Sequence, residues 1–359
     1  MNEPTKPNTI VFRADSSDES GTGHVMRCFA LAQAFKDRGA EVVFITYCQS
    51  DDLTERLEGE GFKVYRLKNY YPYADGIVES VEYLEHYKDC AIVCDGVLFD
   101  LKYYERIKSY GYKLIVIDDM AAQPFYNADV VINQNLHGLD LKYNFGPNTR
   151  LLLGNKYVIL RREFLKYIGV KKQFNEGFTR VLITFGGMDT NNYTEKILLM
   201  IKDMVDSGAL KEPLELTVIT GAANKNAERI RAIELPVRSV FLHNAGNMPE
   251  LMLNHDIAIT SGGTTVWELA FMGVPSIVGR TAQIEDYLVN GLRKCGLFAD
   301  AGWYETLKKE DFAGIFLKLT DDKELRKEMS AKAQGFIDGK GAQRVGEAVF
   351  ENHQTKQLL

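Results

Sequence analysis

Near its amino end the sequence reads Ile10-Val11-Phe12-Arg13-Ala14-Asp15-Ser16-Ser17, followed shortly by Gly21-Thr22-Gly23-His24-Val25-Met26-Arg27. The first run is typical of a short buried strand, the small residues after it indicate a loop, and the residues after Gly23 favour an amphipathic helix. Elements in this order begin an open α/β sheet, in which ligands bind at the carboxyl ends of the strands. The stretch therefore predicts an α/β fold with His24 at the ligand-binding edge.

Short apolar runs alternate with helical patterns along the rest of the chain. The predicted strands of the first half are Ile10–Arg13, Val42–Tyr47, Lys63–Arg66, Ala91–Cys94, Lys113–Ile117 and Val130–Asn133. A second series follows the polar stretch 171–177 and comprises Arg180–Phe185, Leu216–Thr220, Ser239–Leu242, Asp256–Thr260 and Ser276–Val278. Continuous apolar strands separated by crossover helices indicate parallel sheets covered on both faces.

The two series predict two doubly wound, Rossmann-like domains that face each other across a central cleft. A chain of 359 residues suits two domains of ordinary size. The predicted N-terminal domain spans residues 1–170. The predicted C-terminal domain spans residues 178–340, and a helix and tail follow at 341–359.

Composition narrows the class of protein. A hydrophobic content of 45% and a charged content of 26% are those of a soluble globular protein. The formal net charge of −6, with no basic block to offset it, argues against nucleic acid as a partner. No apolar run approaches the ~18 residues of a membrane helix, and residues 1–7 contain no apolar signal core. We expect a cytoplasmic monomer that acts without a membrane.

Cysteine usage agrees with a reducing compartment. The 5 cysteines are odd in number and have no framework spacing, which argues against a disulfide scaffold. Cys90 and Cys94 flank a predicted strand, so we interpret both as packing residues. Because no cluster of cysteine and histidine has the spacing of metal ligands, we expect neither a metal nor a cofactor.

His24 is the candidate catalytic group. On the first turn of a helix the dipole disfavours imidazolium, so the neutral ring that accepts a proton is favoured. Such a ring can act as a general base. The alternative is a histidine that merely caps or packs, and the neighbouring Asp15, Ser16, Gly23 and Arg27 favour the functional interpretation.

Two glycine loops in the second half are candidate phosphate sites. Phe185-Gly186-Gly187-Met188-Asp189-Thr190-Asn191 lies between a predicted strand and a predicted helix, and either binds phosphate or is a glycine turn with a helix cap. Ser261-Gly262-Gly263-Thr264-Thr265 is the sharper signal, because small and hydroxyl residues at a helix N-terminus cradle a diphosphate. Glu268 follows and either reaches a ribose diol or is an ordinary first-turn acid.

Other polar residues also follow predicted strands. Asp95, Asp118 and Asp119 are either catalytic or loop caps, and for any one of them alone the cap is the commoner role. Asn133 and Asn135 either bind a sugar or form a turn. His137 lies close by without a partner in the sequence. For the aromatic run at 70–73 we favour a packed surface loop over a lid that stacks on a sugar.

The motifs together resemble a known family. Arg13-Ala14-Asp15-Ser16-Ser17, Gly21-x-Gly23-His24-Val25-Met26-Arg27, Phe185-Gly186-Gly187-x-Asp189 and Ser261-Gly262-Gly263-Thr264-Thr265-x-x-Glu268-Leu269 occur in the order found in the UDP-sugar hydrolases of pseudaminic acid biosynthesis. These enzymes remove UDP from UDP-2,4-diacetamido-2,4,6-trideoxy-β-L-altropyranose, and spore-coat polysaccharide proteins are their relatives. The likeness runs from Ile10 to about Gly296 and includes Gly154-x-x-Tyr157-x-x-Leu160-Arg161-x-Glu163-Phe164. The Gly-Gly-Thr-Thr segment is shared with the wider GT-B class of glycosyltransferases.

The resemblance implies a GT-B fold and a metal-independent hydrolysis in nonulosonic acid synthesis. The histidine matching His24 activates water, which breaks the C1–O bond with inversion and leaves free sugar and UDP. The implied sugar-binding residues are Arg13, Asp15, Ser16, Gly23, Asp95, Asn133, Tyr157, Arg161 and Gln283. The implied nucleotide-binding residues are Gly186, Gly187, Asp189, Met248, Ser261, Gly262, Gly263, Thr264, Thr265 and Glu268.

Two departures from the family pattern bear on the sugar. Asp95 is followed by Gly96-Val97, where the family can carry His-Tyr, and Ala282 stands before Gln283 in place of the usual Asn. Both changes lie at positions that the resemblance places against the sugar. They therefore bear on which diacylamino sugar is the substrate. Two alternatives to the hydrolase are an inverting glycosyltransferase, in which His24 deprotonates an acceptor hydroxyl, and a nucleotide-sugar-binding protein without catalysis.

Overall fold

The chain forms two compact units of nearly equal size. The computed structural model describes residues 8–17, 21–69, 71–72 and 74–350, with the backbone alone at 74–76. The first unit runs to Arg162 and resumes at Lys340, whereas the second comprises Glu163–Gly339. The helix predicted as a separate segment with the tail at 341–359 thus belongs to the first unit.

A parallel sheet is the centre of the first unit. Its strands within the described residues are β1 (Thr9–Ala14), β2 (Glu41–Thr46), β3 (Lys63–Arg66), β4 (Ala91–Asp95), β5 (Lys113–Ile117), β6 (Val130–Asn133) and β7 (Arg150–Leu153). Their order across the sheet is β3-β2-β1-β4-β5-β6-β7, and every neighbouring pair is parallel. The order reverses beside β1, so the loops after β1 and β4 border the switch point where ligands of such sheets bind.

Helices cover both faces of this sheet. They are α1 (Gly23–Lys36), α2 (Asp51–Gly59), α3 (Ala74–Leu84) and α4 (Leu101–Ser109), with short 3₁₀ turns at Leu136–Leu139 and Asn155–Tyr157. Ile10 and Phe12 of β1 point into one apolar cluster, whereas Val11 points into the other. Because strand side chains alternate between faces, a strand that is apolar throughout needs a core on each side.

The second unit repeats this plan. A short helix, α5 (Arg162–Leu165), leads into it. Its strands in the described chain are β8 (Thr179–Thr184), β9 (Leu214–Thr220), β10 (Arg238–His243), β11 (Ile257–Ser261), β12 (Ser276–Arg280) and β13 (Phe298–Trp303). They are parallel in the order β10-β9-β8-β11-β12-β13, so the switch point lies beside β8. The prediction of parallel α/β sheets is confirmed in both units.

The remaining helices complete the two cores. Those of the second unit are α6 (Tyr193–Asp206), α7 (Ala227–Arg231), α8 (Met248–Asn254), α9 (Thr265–Met272), α10 (Glu285–Arg293), α11 (Lys309–Asp321) and α12 (Lys323–Phe336). The last helix, α13 (Gly341–Phe350), belongs to the first unit. Its Val345 and Val349 are fully buried in the cluster that contains Ile10, and the ring of Phe350 meets that of Phe35 edge-on at 5.4 Å.

Three smaller features of the described chain concern its helices, two of its cysteines and Tyr71. None of the helices in the described residues has the length and apolar character needed to span a membrane. Cys90 and Cys94 are buried free thiols, and burial raises the pKa of each to about 12. Tyr71 is buried against Phe99 and Tyr103, so this part of the aromatic run packs rather than covers a ligand; positions 70 and 73 lie outside the described residues.

Candidate functional site

His24 lies at the carboxyl edge of the first sheet, where the sequence predicted it. It is the second residue of α1, which begins directly after the loop that follows β1. Its side chain is 15% exposed, so part of the ring reaches the surface. A partly buried imidazole at a strand edge is suited to proton transfer with a bound molecule.

The partner of His24 is a buried carboxylate. Asp95 is the last residue of β4, and β4 pairs directly with β1. His24 Nδ1 lies 2.7 Å from Asp95 Oδ1, and Asp95 is 0% exposed. Because an ionised carboxylate only accepts hydrogen bonds, Nδ1 carries the proton and Nε2 keeps its lone pair. Asp95 therefore orients the ring and selects the tautomer that can act as a base.

Arg27 binds the same carboxylate from the next turn of α1. Its Nε donates to Asp95 Oδ2 at 2.8 Å and its Nη2 to Oδ1 at 2.7 Å, a bidentate pair. Burial alone would raise the pKa of Asp95, but the charge of Arg27 and the hydrogen bonds from Arg27 and His24 outweigh it and lower that pKa to about 2. The carboxylate beneath His24 is thus held in its ionised form.

Arg27 also joins this pair to a second carboxylate. Its Nη1 donates to both oxygens of Asp119 at 2.9 Å. Asp119 Oδ1 accepts from Asn135 Nδ2 at 2.6 Å, and His137 Nε2 lies 2.6 Å from the backbone oxygen of Asp119. The hydrogen bonds connect strand-end residues that are far apart in sequence, and His137 has the partner that the sequence did not reveal.

Arg13 and Asp15 support the loop after β1. Arg13 is buried, its Nη1 donates to Asp15, and its Nε donates to Ser80 Oγ at 3.1 Å. Its guanidinium lies over the ring of Phe99 at 4.9 Å. Asp15 Oδ1 also accepts from the backbone N–H of Tyr47 at 2.7 Å. These contacts fix the conformation of the chain directly after β1.

The other residues assigned to the sugar are spread over the first unit. Ser16 is buried in the loop after β1, and Gly23 is the first residue of α1. Asn133 is buried at the end of β6. Tyr157 packs against the apolar cluster of α1, and Arg161 is buried shortly before the chain enters the second unit.

In the second unit, the first glycine loop follows β8. Gly186 has φ +77°, a conformation that favours glycine. A Cβ at Gly221 would lie 2.4 Å from Cα of Gly187, so the two backbones are in contact. Asp189 accepts from the N–H of Tyr193 at 2.8 Å and from the next N–H at 2.9 Å. Its carboxylate therefore caps the first turn of α6, which is one of the two roles the sequence left open.

The second glycine loop joins β11 to α9. Ser261 ends the strand, Thr264 occupies the cap position, and the helix begins at Thr265. Thr264 makes no side-chain cap to the helix, and the N–H groups of Val266 and Trp267 bond back to the oxygens of Gly263 and Thr264. The positive end of the helix dipole lies at the carboxyl edge. Gly263 is half-buried, as is Glu268 in the first turn. This geometry suits an anionic ligand.

Gly262 lies where two neighbouring loops meet. A Cβ there would lie 2.6 Å from Val289 and 3.0 Å from Glu285 of α10. The Glu285 carboxylate accepts from the N–H groups of Thr281 at 2.5 Å and Ala282 at 3.3 Å, and burial raises its pKa. The loop after β12 is thereby fixed.

Two further assigned residues flank these loops. Gln283 is exposed, one residue beyond the N–H groups that the Glu285 carboxylate holds. Met248, at the start of α8, is buried. Across the described residues of both units, no group of three or more His, Cys, Asp or Glu side chains is placed to hold a metal ion.

Sequence comparisons identify distant relatives. No family model matches the chain. It is 24% identical to the spore coat polysaccharide biosynthesis protein SpsG of Bacillus subtilis over 92% of this chain and 95% of that one. It is 22% identical to the UDP-2,4-diacetamido-2,4,6-trideoxy-β-L-altropyranose hydrolase of Campylobacter jejuni over 62% and 73% of the two chains. The uncharacterized protein MJ1062 of Methanocaldococcus jannaschii is 28% identical over 75% of this chain, but the match spans only 55% of that protein.

Solved structures define the fold. MurG of Acinetobacter baumannii superimposes with a TM-score of 0.66 over 96% of this chain and 99% of its own, at 17% identity. The spinosyn rhamnosyltransferase SpnG complexed with thymidine diphosphate gives 0.64 over 94% and 99%, at 12% identity. The chain has the GT-B fold. As a GT-B protein and a distant relative of SpsG and of the altropyranose hydrolase, it fits the resemblance drawn from its motifs.

Proposed function

We propose that this GT-B protein hydrolyses a UDP-activated diacetamido sugar to free sugar and UDP, with His24 as the general base. The observation that carries the proposal is the pair formed by His24 and the buried Asp95 at the carboxyl edge of β1 and β4. A base oriented by a carboxylate is the arrangement that activates a hydroxyl or a water molecule in many hydrolases. The sequence relation to an altropyranose hydrolase supports the same chemistry.

The reaction needs one proton acceptor and one leaving group. His24 Nε2 takes a proton from water, and the water oxygen forms a bond to C1 of the sugar. The bond between C1 and the diphosphate oxygen breaks, its electrons leave with UDP, and the configuration at C1 inverts. The imidazolium that forms is stabilised by Asp95 and then loses its proton to solvent.

The glycine loops of the second unit are our candidates for the UDP site. The start of α9 at Thr265 and the loop of Gly186 and Gly187 offer backbone N–H groups to diphosphate oxygens. Charge accumulates on the diphosphate as C1–O breaks, so donors aimed at it lower the barrier as well as binding the nucleotide. Glu268 is the candidate for the ribose hydroxyls.

A test without acceptor distinguishes hydrolysis from transfer. The protein is incubated with UDP-2,4-diacetamido-2,4,6-trideoxy-β-L-altropyranose alone, UDP release is measured, and the anomer of the product is identified by NMR. We expect steady UDP release and a product of inverted configuration. The absence of UDP release without an acceptor contradicts the hydrolase, and retention of configuration contradicts the single-base mechanism.

Asp95→Asn tests the role of the buried partner. The amide nitrogen can donate to Nδ1 and shift the ring proton to Nε2, which removes the base. We expect kcat to fall by about 10²–10⁴-fold with KM little changed, because Asp95 is buried and touches the ring rather than the substrate. Asp129→Asn is the control, since Asp129 binds Lys108 and the N–H of Leu114 at the opposite edge of the sheet.

An inverting glycosyltransferase is the second candidate. Its supporting observation is the loop after β4, where Val97 is 60% exposed and Leu98 is 44% exposed close to Asp95. Exposed apolar side chains at a ligand edge suit an acceptor with an apolar part, and the structural neighbours include glycosyltransferases. UDP release that begins only when an acceptor is added favours this candidate over the hydrolase.

A further inference from the structure

Arg27 binds two carboxylates that differ in exposure. Asp95 is 0% exposed and faces His24, whereas the Asp119 side chain is 20% exposed. Asp95 ends β4 and Asp119 follows the adjacent strand β5, so both lie at the carboxyl edge. Neighbouring strands are about 4.8 Å apart, so the accessible carboxylate of Asp119 lies within a sugar's reach of the base.

Asp119 is held in place from several directions. Arg27 Nη1 and Asn135 Nδ2 bind its carboxylate, and His137 binds its backbone oxygen. The preceding residue, Asp118, accepts from the N–H of Met120 at 2.8 Å and so fixes the turn. A partly exposed carboxylate that is fixed in advance binds a ligand donor with little further loss of conformational freedom.

A second observation points to a ligand beside Asp119. Asn135 is 4% exposed, and its Oδ1 has no hydrogen-bond partner among the described residues. The nitrogen of the same amide donates to Asp119, so this side chain is in contact with that carboxylate. Buried polar atoms are nearly always paired, and an unpaired one needs an explanation. An unpaired acceptor on a side chain that contacts a partly exposed carboxylate calls for a donor.

The nearby Asn133 differs from Asn135, because both ends of its side-chain amide have partners within the protein. Its Oδ1 accepts from the N–H of Asn135 at 3.0 Å and its Nδ2 donates to Tyr143 Oη at 3.0 Å. Both ends of this amide are used inside the protein. Asn133 therefore holds the loop of Asn135, and Asn135 is the residue whose oxygen is left for a ligand.

We propose that Asp119, with the oxygen of Asn135 beside it, accepts the N–H of an acylamino group on the sugar ring and makes the site selective for acylamino sugars. This inference rests on the proposed function. A secondary amide nitrogen is a donor without a lone pair to offer, so it fits a pair of acceptors. A hydroxyl can also donate to a carboxylate, but its oxygen adds two acceptor lone pairs beside Asp119 and Asn135, whereas the amide nitrogen adds none. Asp119 is thus a specificity-determining residue distinct from His24.

Binding measurements in a catalytically silenced protein test this. With His24→Ala as the parent, dissociation constants are measured for the UDP-diacetamido sugar and for its two congeners in which the acetamido group at C2 or C4 is a hydroxyl. We expect the parent to prefer the diacetamido sugar over one congener by about 10-fold, which is less than the full value of a hydrogen bond to a charged acceptor because the hydroxyl keeps one donor. Adding Asp119→Ala should remove this preference, and Asp119→Asn, which keeps an acceptor oxygen, should restore part of it.

Control variants separate a loss of sugar recognition from a general loss of structure. Asp129→Asn in the same parent should leave the preference unchanged, and the affinity for UDP alone should be the same in every variant. Equal binding of the three sugars by the parent, or an equal loss of affinity for all three in Asp119→Ala, overturns the inference. Failure of the wild type to release UDP without an acceptor contradicts the proposed hydrolysis instead, because the binding preference does not depend on turnover.

Discussion

We expect His24→Ala to lower kcat/KM for UDP release by about 10²–10⁴-fold, the usual contribution of a general base. The reason is that His24 Nε2 is the proton acceptor in the proposed attack on C1, and Asp95 fixes that tautomer. The loss should appear in kcat, because the ring contributes to the transition state more than to ground-state binding. Initial rates of UDP release over a range of substrate concentrations measure it.

A matched histidine variant shows that the effect is specific. His86 is exposed after α3 in the same unit, so His86→Ala should keep the wild-type rate. The affinity of His24→Ala for UDP, measured by calorimetry, should equal that of the wild type. Wild-type turnover in His24→Ala would remove this residue as the base, and the mechanism would then need another proton acceptor.

Arg27→Met should destabilise the protein by about 3–5 kcal/mol, because it leaves the buried Asp95 without its main counter-charge. Urea denaturation at pH 7 measures this loss. In the wild type the pKa of Asp95 is lowered, so its ion pairs stabilise the fold above the unfolded value of about 3.9, and this stability is lost as the pH falls toward about 2. The difference between variant and wild type should therefore shrink below about pH 4.

Two further variants test whether the loss of stability comes from the unpaired buried charge. Arg66→Met removes an ion pair with Asp51 in which both side chains are largely exposed, and should cost about 1 kcal/mol or less. The double variant Arg27→Met with Asp95→Asn should recover part of the stability, because no buried charge is then left unpaired. A double variant no more stable than Arg27→Met alone would show that the loss comes from packing.

The sequence contains enough to predict the α/β plan but not every strand. Runs such as Lys113–Ile117 are apolar throughout, and the structure has strands where these runs predicted them. β13 (Phe298–Trp303) was missed because aspartate and glycine interrupt it. β7 (Arg150–Leu153) was missed because only three apolar residues follow its arginine. Both occupy sheet edges, where strands are shorter and less apolar.

The candidate site was predictable only in part. His24 was found because its strand, loop and helix are contiguous in sequence. Asp95 was noticed as a strand end, but its place under His24 depends on β4 pairing with β1, and strand order is set by tertiary packing. The link from Arg27 to Asp119 spans three strands in the same way. For Asp189 the local interpretation was the better one. The motif assigned its carboxylate to the nucleotide, but in the structure this carboxylate caps the first turn of α6.

The return of α13 to the first unit has a consequence for biosynthesis. Val345 and Val349 complete the cluster that Ile10 begins, and Lys113 and Arg150 donate to the backbone oxygens of Val349 and Ala348. During translation, the sheet of the first unit emerges first but lacks this helix until all of the second unit has left the ribosome. We infer that the second unit, which is continuous in sequence, completes its folding first, and that the nascent first unit keeps an apolar face uncovered in the meantime.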